Sequence, residues 1–505
     1  MRFSLNRSES GCFIPIYENV ITLEDSVELV IPDVREDVGE ILDVRGQVML
    51  VSKKTMTDAA SVTATVYVSA LYLSESGDKI ECVATEIPLE FYIAEAGLEE
   101  GNELLSELFL RSIEAKPLNP RKLLFRTKLT AKITAYSKGS FSVCSGLAEK
   151  AENIPIYYLK KQAEHCLVSA LQEKTFAVSD EYAMAEDMDA SELLFTQTSV
   201  CVDEVNSVGT KLVFKAKILT DAILSCGTEK AELQSVKFET EFSQIIETEL
   251  YQNLTEALVY TDLISVDFVR RPAGTEASFA ATFRIAATAV CMENVVLDYI
   301  EDAYSNSSPL ILEQEQLELC KFMHAQSLKI IAEGSLSDNV NTMEISYLSA
   351  ACITADSVGE NISIEVLVRG VARGENDSLT PIELKLIGKD KIFLDPGQSI
   401  EILGVHWEEL EISRDGSLSL ELALTFLQNE NTSVNAVCAL AFDENFSAYS
   451  VSRPTLTVLC SKTNGNDLWT IAKKYGSTTE AIETTNTVDG LFSPEKRPLI
   501  IPKTR

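Results

Sequence analysis

Strict alternation of apolar with small or polar residues, sustained over a dozen positions at a time, limits the fold of this chain more than any other feature. In VTATVYVSALYL (62–73) the two kinds of residue trade places at every second position, the period of a pleated strand with one face buried. The pattern returns in LLFRTKLTAKITAY (123–136), KLVFKAKILTDAIL (211–224), SFAATFRIAATAV (278–290), ISIEVLVRGVA (362–372) and SLSLELALTF (417–426). These runs come in pairs. IPLEF, ending at Phe91, is matched 151 residues on by VKFETEF, ending at Phe242, and Val208-Gly209 recurs as Val358-Gly359 at a spacing of 150. A period that long is domain duplication, since solenoid repeats recur every ~20–50 residues. The chain therefore reads as three copies of one β-rich module, with turn signals SESGD, RPAGT and SRDGS beside the strands. Between the modules, LKKQAEHCLVSALQEK (159–174) and LEQEQLELCKFMHAQSLKIIA (312–332) carry apolar residues near i, i+3, i+4 spacing, which predicts connecting helices.

Length agrees with several units, because 505 residues at roughly 100–200 per domain make about three to five domains. With 43 basic against 77 acidic side chains the net charge is −34, which argues against nucleic acid or an anionic bilayer and for a protein or neutral sugar as partner. The 11 cysteines are scattered, at least 22 residues apart and without a CxxC pair, as suits unpaired thiols in a reducing cytosol. The opening MRFSLNRSESGCFIPIYENV lacks the apolar stretch of a signal peptide, and no window of ~18 apolar residues follows. The expectation is a cytosolic protein without direct membrane insertion.

The end of the chain differs. Residues 454–505 carry seven basic and five acidic side chains, while residues 1–453 carry a net charge of −36. In GNDLWTIAKKYG (465–476), Leu468, Ile471, Ala472 and Tyr475 fall on one helical face, with Asp467 as N-cap and Gly476 just beyond the end. STTE (477–480) has the form of a capping box for a second short helix through Ala481 and Ile482. TLTVL (455–459) and PLIIP (498–502) flank the helices as strands, giving the order strand, helix, helix, strand. The expected fold is multidomain: mainly β modules at 1–150, 151–304 and 305–450 with connecting helices, plus a C-terminal α+β (βααβ) domain at 451–505.

Gly465, Asn466, Asp467, Leu468, Trp469, Ile471, Ala472, Asn486 and the closing Ile501-Pro502 make this tail resemble a LysM domain. The resemblance implies a shallow groove for N-acetylglucosamine polymers between loops 463–469 and 486–492. Two departures bear on what the groove takes. The usual Asp-Thr pair is Asn466-Asp467, and the second loop, TVDGLFSPEKRP, carries Leu491 and Phe492. A carboxylate and an apolar loop suit a protein surface as well as a glycan. The candidate partner-binding residues are thus Gly465, Asn466, Asp467, Leu468, Trp469, Asn486, Leu491 and Phe492. For Trp469, a place beside the groove and a place packed on the second helix both remain open. Trp407, after the apolar ILGVHW, reads as core.

Three acidic β modules followed by a single LysM resemble the clostridial spore-coat morphogenetic proteins with SPOCS-type repeats. That resemblance implies a non-enzymatic adaptor, made in the mother-cell cytoplasm and acting at the forespore surface, whose LysM engages a coat morphogenetic protein, a SpoIVA-like ATPase. The alternatives are a peptidoglycan-binding protein of wall or cortex and a wall hydrolase.

Catalytic constellations do not assemble in the sequence. The three histidines, His165, His324 and His406, are more than 80 residues apart, with no HExxH or Cys/His metal spacing. His165-Cys166 are adjacent and point to different faces. AEDMDASE (185–192) and AEAGLEEGNE (94–103) read as solvated acidic faces. In the first, Glu192 stands where a calcium loop needs Gly and Thr198 where it needs Glu. RGVARGEND (369–377) lacks the Lys-Ser/Thr ending of a phosphate loop. The expectation is no enzyme activity, no cofactor and no bound metal.

Overall fold

The computed structural model describes residues 3–77, 79–148, 155–184, 190–226, 232–248, 254–271, 278–336, 344–374, 378–413, 415–442, 456–459, 468–488, 491–492 and 498–504. The first module holds six strands, β1 (Leu5–Val30), β2 (Val38–Met56), β3 (Ala59–Ser74), β4 (Ile80–Ala94), β5 (Glu103–Asn119) and β6 (Lys122–Leu147). β2, β3 and β4 form one antiparallel sheet; β6 lies between β1 and β5 in another. The alternation in the sequence is what presses these sheets together. Leu123, Phe125, Thr127, Leu129, Ala131, Ile133 and Ala135 of β6 all face inward and are fully buried, against Val62, Ala64 and Val66 of β3. Each fully buried Leu or Phe contributes ~1.5–3 kcal/mol relative to exposure.

The second module repeats this plan with β7 (Ile156–Ala183), β8 (Ala190–Val208), β9 (Lys211–Cys226), β10 (Glu232–Glu247), β11 (Glu256–Arg271) and β12 (Ser278–Ser305). The third does so with β13 (Leu310–Ser335), β14 (Glu344–Val358), β15 (Asn361–Arg373), β16 (Leu379–Lys391), β17 (Gln398–Ile412) and β18 (Ser417–Phe442). In each, the first strand pairs with the last, the last with the fifth, and the middle three form their own sheet. The copies agree in detail. A two-residue turn joins the second and third strands every time, and one residue is bulged out of the second strand at Val51, Asp203 and Ile353. Gly209 (φ 64) and Gly359 (φ 60) take the left-handed conformation at the first turn position, which explains their recurrence in the sequence. Module 1 has Asp58 (φ 56) at the second position instead, and its carboxylate accepts the Gly97 N–H at 3.1 Å.

Two readings from the sequence change here. The expected connecting helices at 159–174 and 312–332 are the long strands β7 and β13, fully laddered to β12 and β18. Bulges explain the mistaken period: Ser169 and Met323 are extra residues in their ladders, and each switches the apolar face, mixing spacings of two and three. The match of Phe91 with Phe242 is two residues out. Counted from the turns, Ala64 corresponds to Ala216, and their ladder partners are Leu89 and Phe242. An error of two keeps the face, so the alternation concealed it. Of the two acidic stretches, 185–189 lies outside the described residues, while in 94–103 Glu95, Glu99 and Glu100 are exposed and Leu98 is buried, its N–H donating to the Glu95 carbonyl at 3.4 Å.

The modules pack around a common centre, each touching the other two. Arg45, Gln197 and Tyr347 occupy the same place in their modules, eleven residues before the last residue of the second strand, and they meet. Arg45 donates through Nε to Asp43 (2.9 Å) and through Nη1 to Gln197 (3.2 Å) and Ser349 (3.2 Å), while Nη2 reaches the Arg369 carbonyl (3.1 Å). The Tyr347 hydroxyl closes the group by donating to Asp43 at 2.8 Å. Beside it, Leu42, Leu71, Phe195, Ile223 and Val371 make an apolar layer drawn from all three copies.

The tail follows as β19 (Leu456–Leu459), α1 (Leu468–Tyr475), α2 (Thr479–Asn486), the short β20 (Thr487–Val488) and β21 (Leu491–Phe492), and β22 (Leu499–Pro502). β19 and β22 pair antiparallel. α1 buries Trp469, Ile471 and Ala472 and ends at Gly476 (φ 68). α2 is capped one residue later than the sequence implies, by the Thr478 hydroxyl accepting the Ala481 N–H at 3.1 Å. Ser477 is instead turned inward and fully buried.

Candidate functional site

Of the eight residues singled out in the tail, Gly465, Asn466 and Asp467 lie outside the described residues. Leu491 and Phe492 are placed by their backbone, laddered to Val488 and Thr487. Asn486 clamps α2 to β22: its Nδ2 donates to the Ile482 and Ile500 carbonyls (2.7 and 2.6 Å), and its Oδ1 accepts the Ile500 N–H (2.8 Å). Its amide is spent on fixing α2 against β22. Leu468 is half-buried at the start of α1.

Trp469 is only 8% exposed, and what covers it is module 2. Its ring meets Tyr304 edge-on at 4.8 Å, and its indole N–H donates to Asp302 Oδ2 at 2.8 Å. Lys473, one turn along α1, donates to both oxygens of the same carboxylate (2.6 and 2.8 Å). The Tyr304 hydroxyl donates to the Ser477 carbonyl (2.8 Å), and Asn306 Nδ2 donates to Thr504 Oγ1 (2.7 Å). Asp302 comes just after a bulge in β12, which sets the strand end toward the tail. The tail and module 2 thus share one apolar cluster, Tyr157, Leu159 and Tyr304 with Trp469, Ile471 and Ala472.

A second site, missed in the sequence, lies among the three modules. A cavity of about 1120 Å³ is lined by second and fifth strands of every copy, including Gln47, Glu107, Asp262, Glu401 and Trp407, together with Lys132 of β6. Glu107, Tyr260 and Glu401 are again equivalent, each opposite the tenth residue after the start of the last strand. Lys132 lies between two of them, 2.5 Å from Glu401 and 3.5 Å from Glu107; against the pull of burial these carboxylates hold its pKa up at about 12. Burial pushes the Asp262 carboxyl up to about 7, reinforced by Glu173 and Glu107 and opposed by Lys53. Trp407 packs on the module 3 core and faces the cavity, with Lys237 Nζ 3.7 Å above its ring. Burial lowers the Lys237 and His406 pKa values. The only sequence signal was polar Asp43, Arg45 and Gln47 in alternation on β2, indistinguishable from a wet face until the other modules cover it.

His165 is structural in its contacts, accepting the Cys320 N–H at 3.2 Å and lying 4.6 Å from the Phe141 ring, and burial raises the neighbouring Cys166 to about 12. Among the described residues no group of three or more His, Cys, Asp or Glu could hold a metal, and no helix is long and apolar enough to cross a membrane.

The architecture is that of a repeat protein, three six-stranded β modules around one centre with a small α+β domain appended. Residues 37–118, which run from just before β2 almost to the end of β5, match the family model for the SipL, SPOCS domain. This stretch is therefore similar to a domain of SipL-like, sporulation-related proteins. No curated protein and no solved structure matches the chain.

Proposed function

We propose that this chain is a non-enzymatic structural adaptor in spore envelope assembly. The observation that carries the reading is the SPOCS match across β2–β5 together with the recurrence of that strand plan, turn and bulge in modules 2 and 3. On this reading all three modules are SPOCS-type and form the acidic body, and the tail is a LysM-type domain that engages a coat morphogenetic protein, a SpoIVA-like ATPase. The adaptor works in the mother-cell cytoplasm at the forespore surface and takes no cofactor. Support for a protein ligand comes from the pairing of Trp469 and Lys473 with Asp302 and Tyr304, side-chain chemistry of a protein contact and not of a neutral sugar.

The test is retention of the full-length chain on a purified SpoIVA-like ATPase and, separately, on insoluble peptidoglycan. Retention by the ATPase and not by the wall is expected. Sedimentation with peptidoglycan alone would replace the adaptor with a wall- or cortex-binding protein, and release of soluble fragments from the wall would make it a hydrolase.

A further inference from the structure

The contact between α1 and module 2 has three properties of a reversible one. It is centred on a single carboxylate, Asp302, which receives both Trp469 and Lys473 and keeps a fifth of its side chain open to solvent. It is imperfectly satisfied, because Asn306 Oδ1 and Ser477 Oγ are buried in it without a hydrogen-bond partner. And it joins a segment of net positive charge to a strongly acidic body, so part of its strength is electrostatic and weakens with salt. The tail has its own means of holding together: the β19–β22 pairing, the Asn486 clamp, and Ile482, Leu499 and Ile501 packed with Ala472.

We propose that the Trp469–Lys473 face of α1 is a recognition surface for an acidic polypeptide segment presenting a carboxylate beside an aromatic ring, and that module 2 occupies it in cis through Asp302 and Tyr304. This rests on the protein-binding reading of the tail and specifies its ligand chemistry. In the closed form the indole N–H and the ammonium are both spent on Asp302, and the ring edge on Tyr304. A partner must supply the same pair of groups and displace the internal copy. A binder equally able to reach open and closed forms would shift nothing.

Trp407 and Trp469 are the two tryptophans of the chain, so Trp407→Phe leaves Trp469 as sole reporter in the full-length protein. In that background, Asp302→Ala and, from the other side, Lys473→Ala are expected to move the emission to longer wavelength, and rising salt to do the same to the parent. The trans probe is a fluorescein-labelled peptide of residues 299–306 (Tyr-Ile-Glu-Asp-Ala-Tyr-Ser-Asn). It is expected to bind the Asp302→Ala chain at least tenfold more tightly than the parent, and a peptide with Asn in place of the aspartate is expected to lose that binding. Unchanged emission in both variants would overturn the cis contact. A shifted emission without peptide binding to the opened chain would overturn the recognition surface. Neither readout involves the coat ATPase, so failure to retain that protein would count against the proposed function alone.

Discussion

Replacing Asp262 with Asn tests whether the space among the modules is as dry around this side chain as its surroundings imply. Burial, with Glu173 and Glu107 nearby, raises its pKa to about 7, and Lys53 offsets only part of that. An unfolded aspartate titrates near ~3.9. The folded protein therefore binds the proton more tightly than the unfolded chain, and stability falls as pH rises between these two values. The cost is absent below the lower value and complete above the upper one, with a ceiling of about 4 kcal/mol. Between about pH 5 and about pH 8 the parent should lose about 2–3 kcal/mol through this group. Asp262→Asn removes the titration at nearly constant shape. Urea denaturation of both proteins at the two pH values should show the variant gaining that amount relative to the parent on going to the higher pH. A difference between variant and parent that stays the same at both pH values, or shrinks toward the alkaline one, would refute the reasoning.

Phe125 is fully buried in the module 1 core, so Phe125→Ala should cost about 3–5 kcal/mol in chemical denaturation. Arg45→Met leaves the buried Asp43 without its counter-ion and should cost about 3–5 kcal/mol, read as a lower melting temperature. Asn486→Ala removes the two hydrogen bonds between α2 and β22 and a third within α2, and should loosen the tail by about 1–3 kcal/mol, seen as earlier loss of Trp469 fluorescence structure while the β signal of the modules is kept.

The sequence made the modules legible because one face of each strand is buried in a sandwich, and burial on one face writes a period of two into the residues. It made the tail legible because helix ends carry their own chemistry: Gly476 stops α1 where a left-handed residue is required. The parts that escaped share a different cause. β7 and β13 were disguised by bulges at Ser169 and Met323, which break the period that identifies a strand. Arg45, Glu107 and Glu401 belong to faces that are polar because three modules meet there, and a polar face toward a neighbour has the same pattern as one toward water. The same limit hid the covering of Trp469: nothing local to the tail records that Asp302 and Tyr304, more than 160 residues earlier, stand against it.

Fusion of three modules in one chain has a chemical consequence at the centre. Three separate identical subunits would bring three identical side chains together at each equivalent position, and an arginine there would face two more arginines. In one chain the position has diverged to Arg45, Gln197 and Tyr347, so that the single guanidinium finds an acceptor in Gln197 and the Tyr347 hydroxyl donates to the same Asp43 carboxylate that Arg45 holds. Gln197→Arg restores the symmetric choice at one of the two remaining places, putting a second cation where Oε1 now lies 3.2 Å from Arg45 Nη1. Two like charges about 4 Å apart at an effective dielectric near 20 repel by about 4 kcal/mol, above the ~1.5–3 kcal/mol that loss of the charge-assisted hydrogen bond alone would cost. Gln197→Met, of similar volume and no charge, measures that smaller loss. The expected order of melting temperatures is parent, Gln197→Met, then Gln197→Arg well below, with the gap between the two variants narrowing as salt is raised. If the arginine variant melts with or above the methionine variant, the centre has room and water enough to solvate a second cation, and the divergence of the three positions owes nothing to charge.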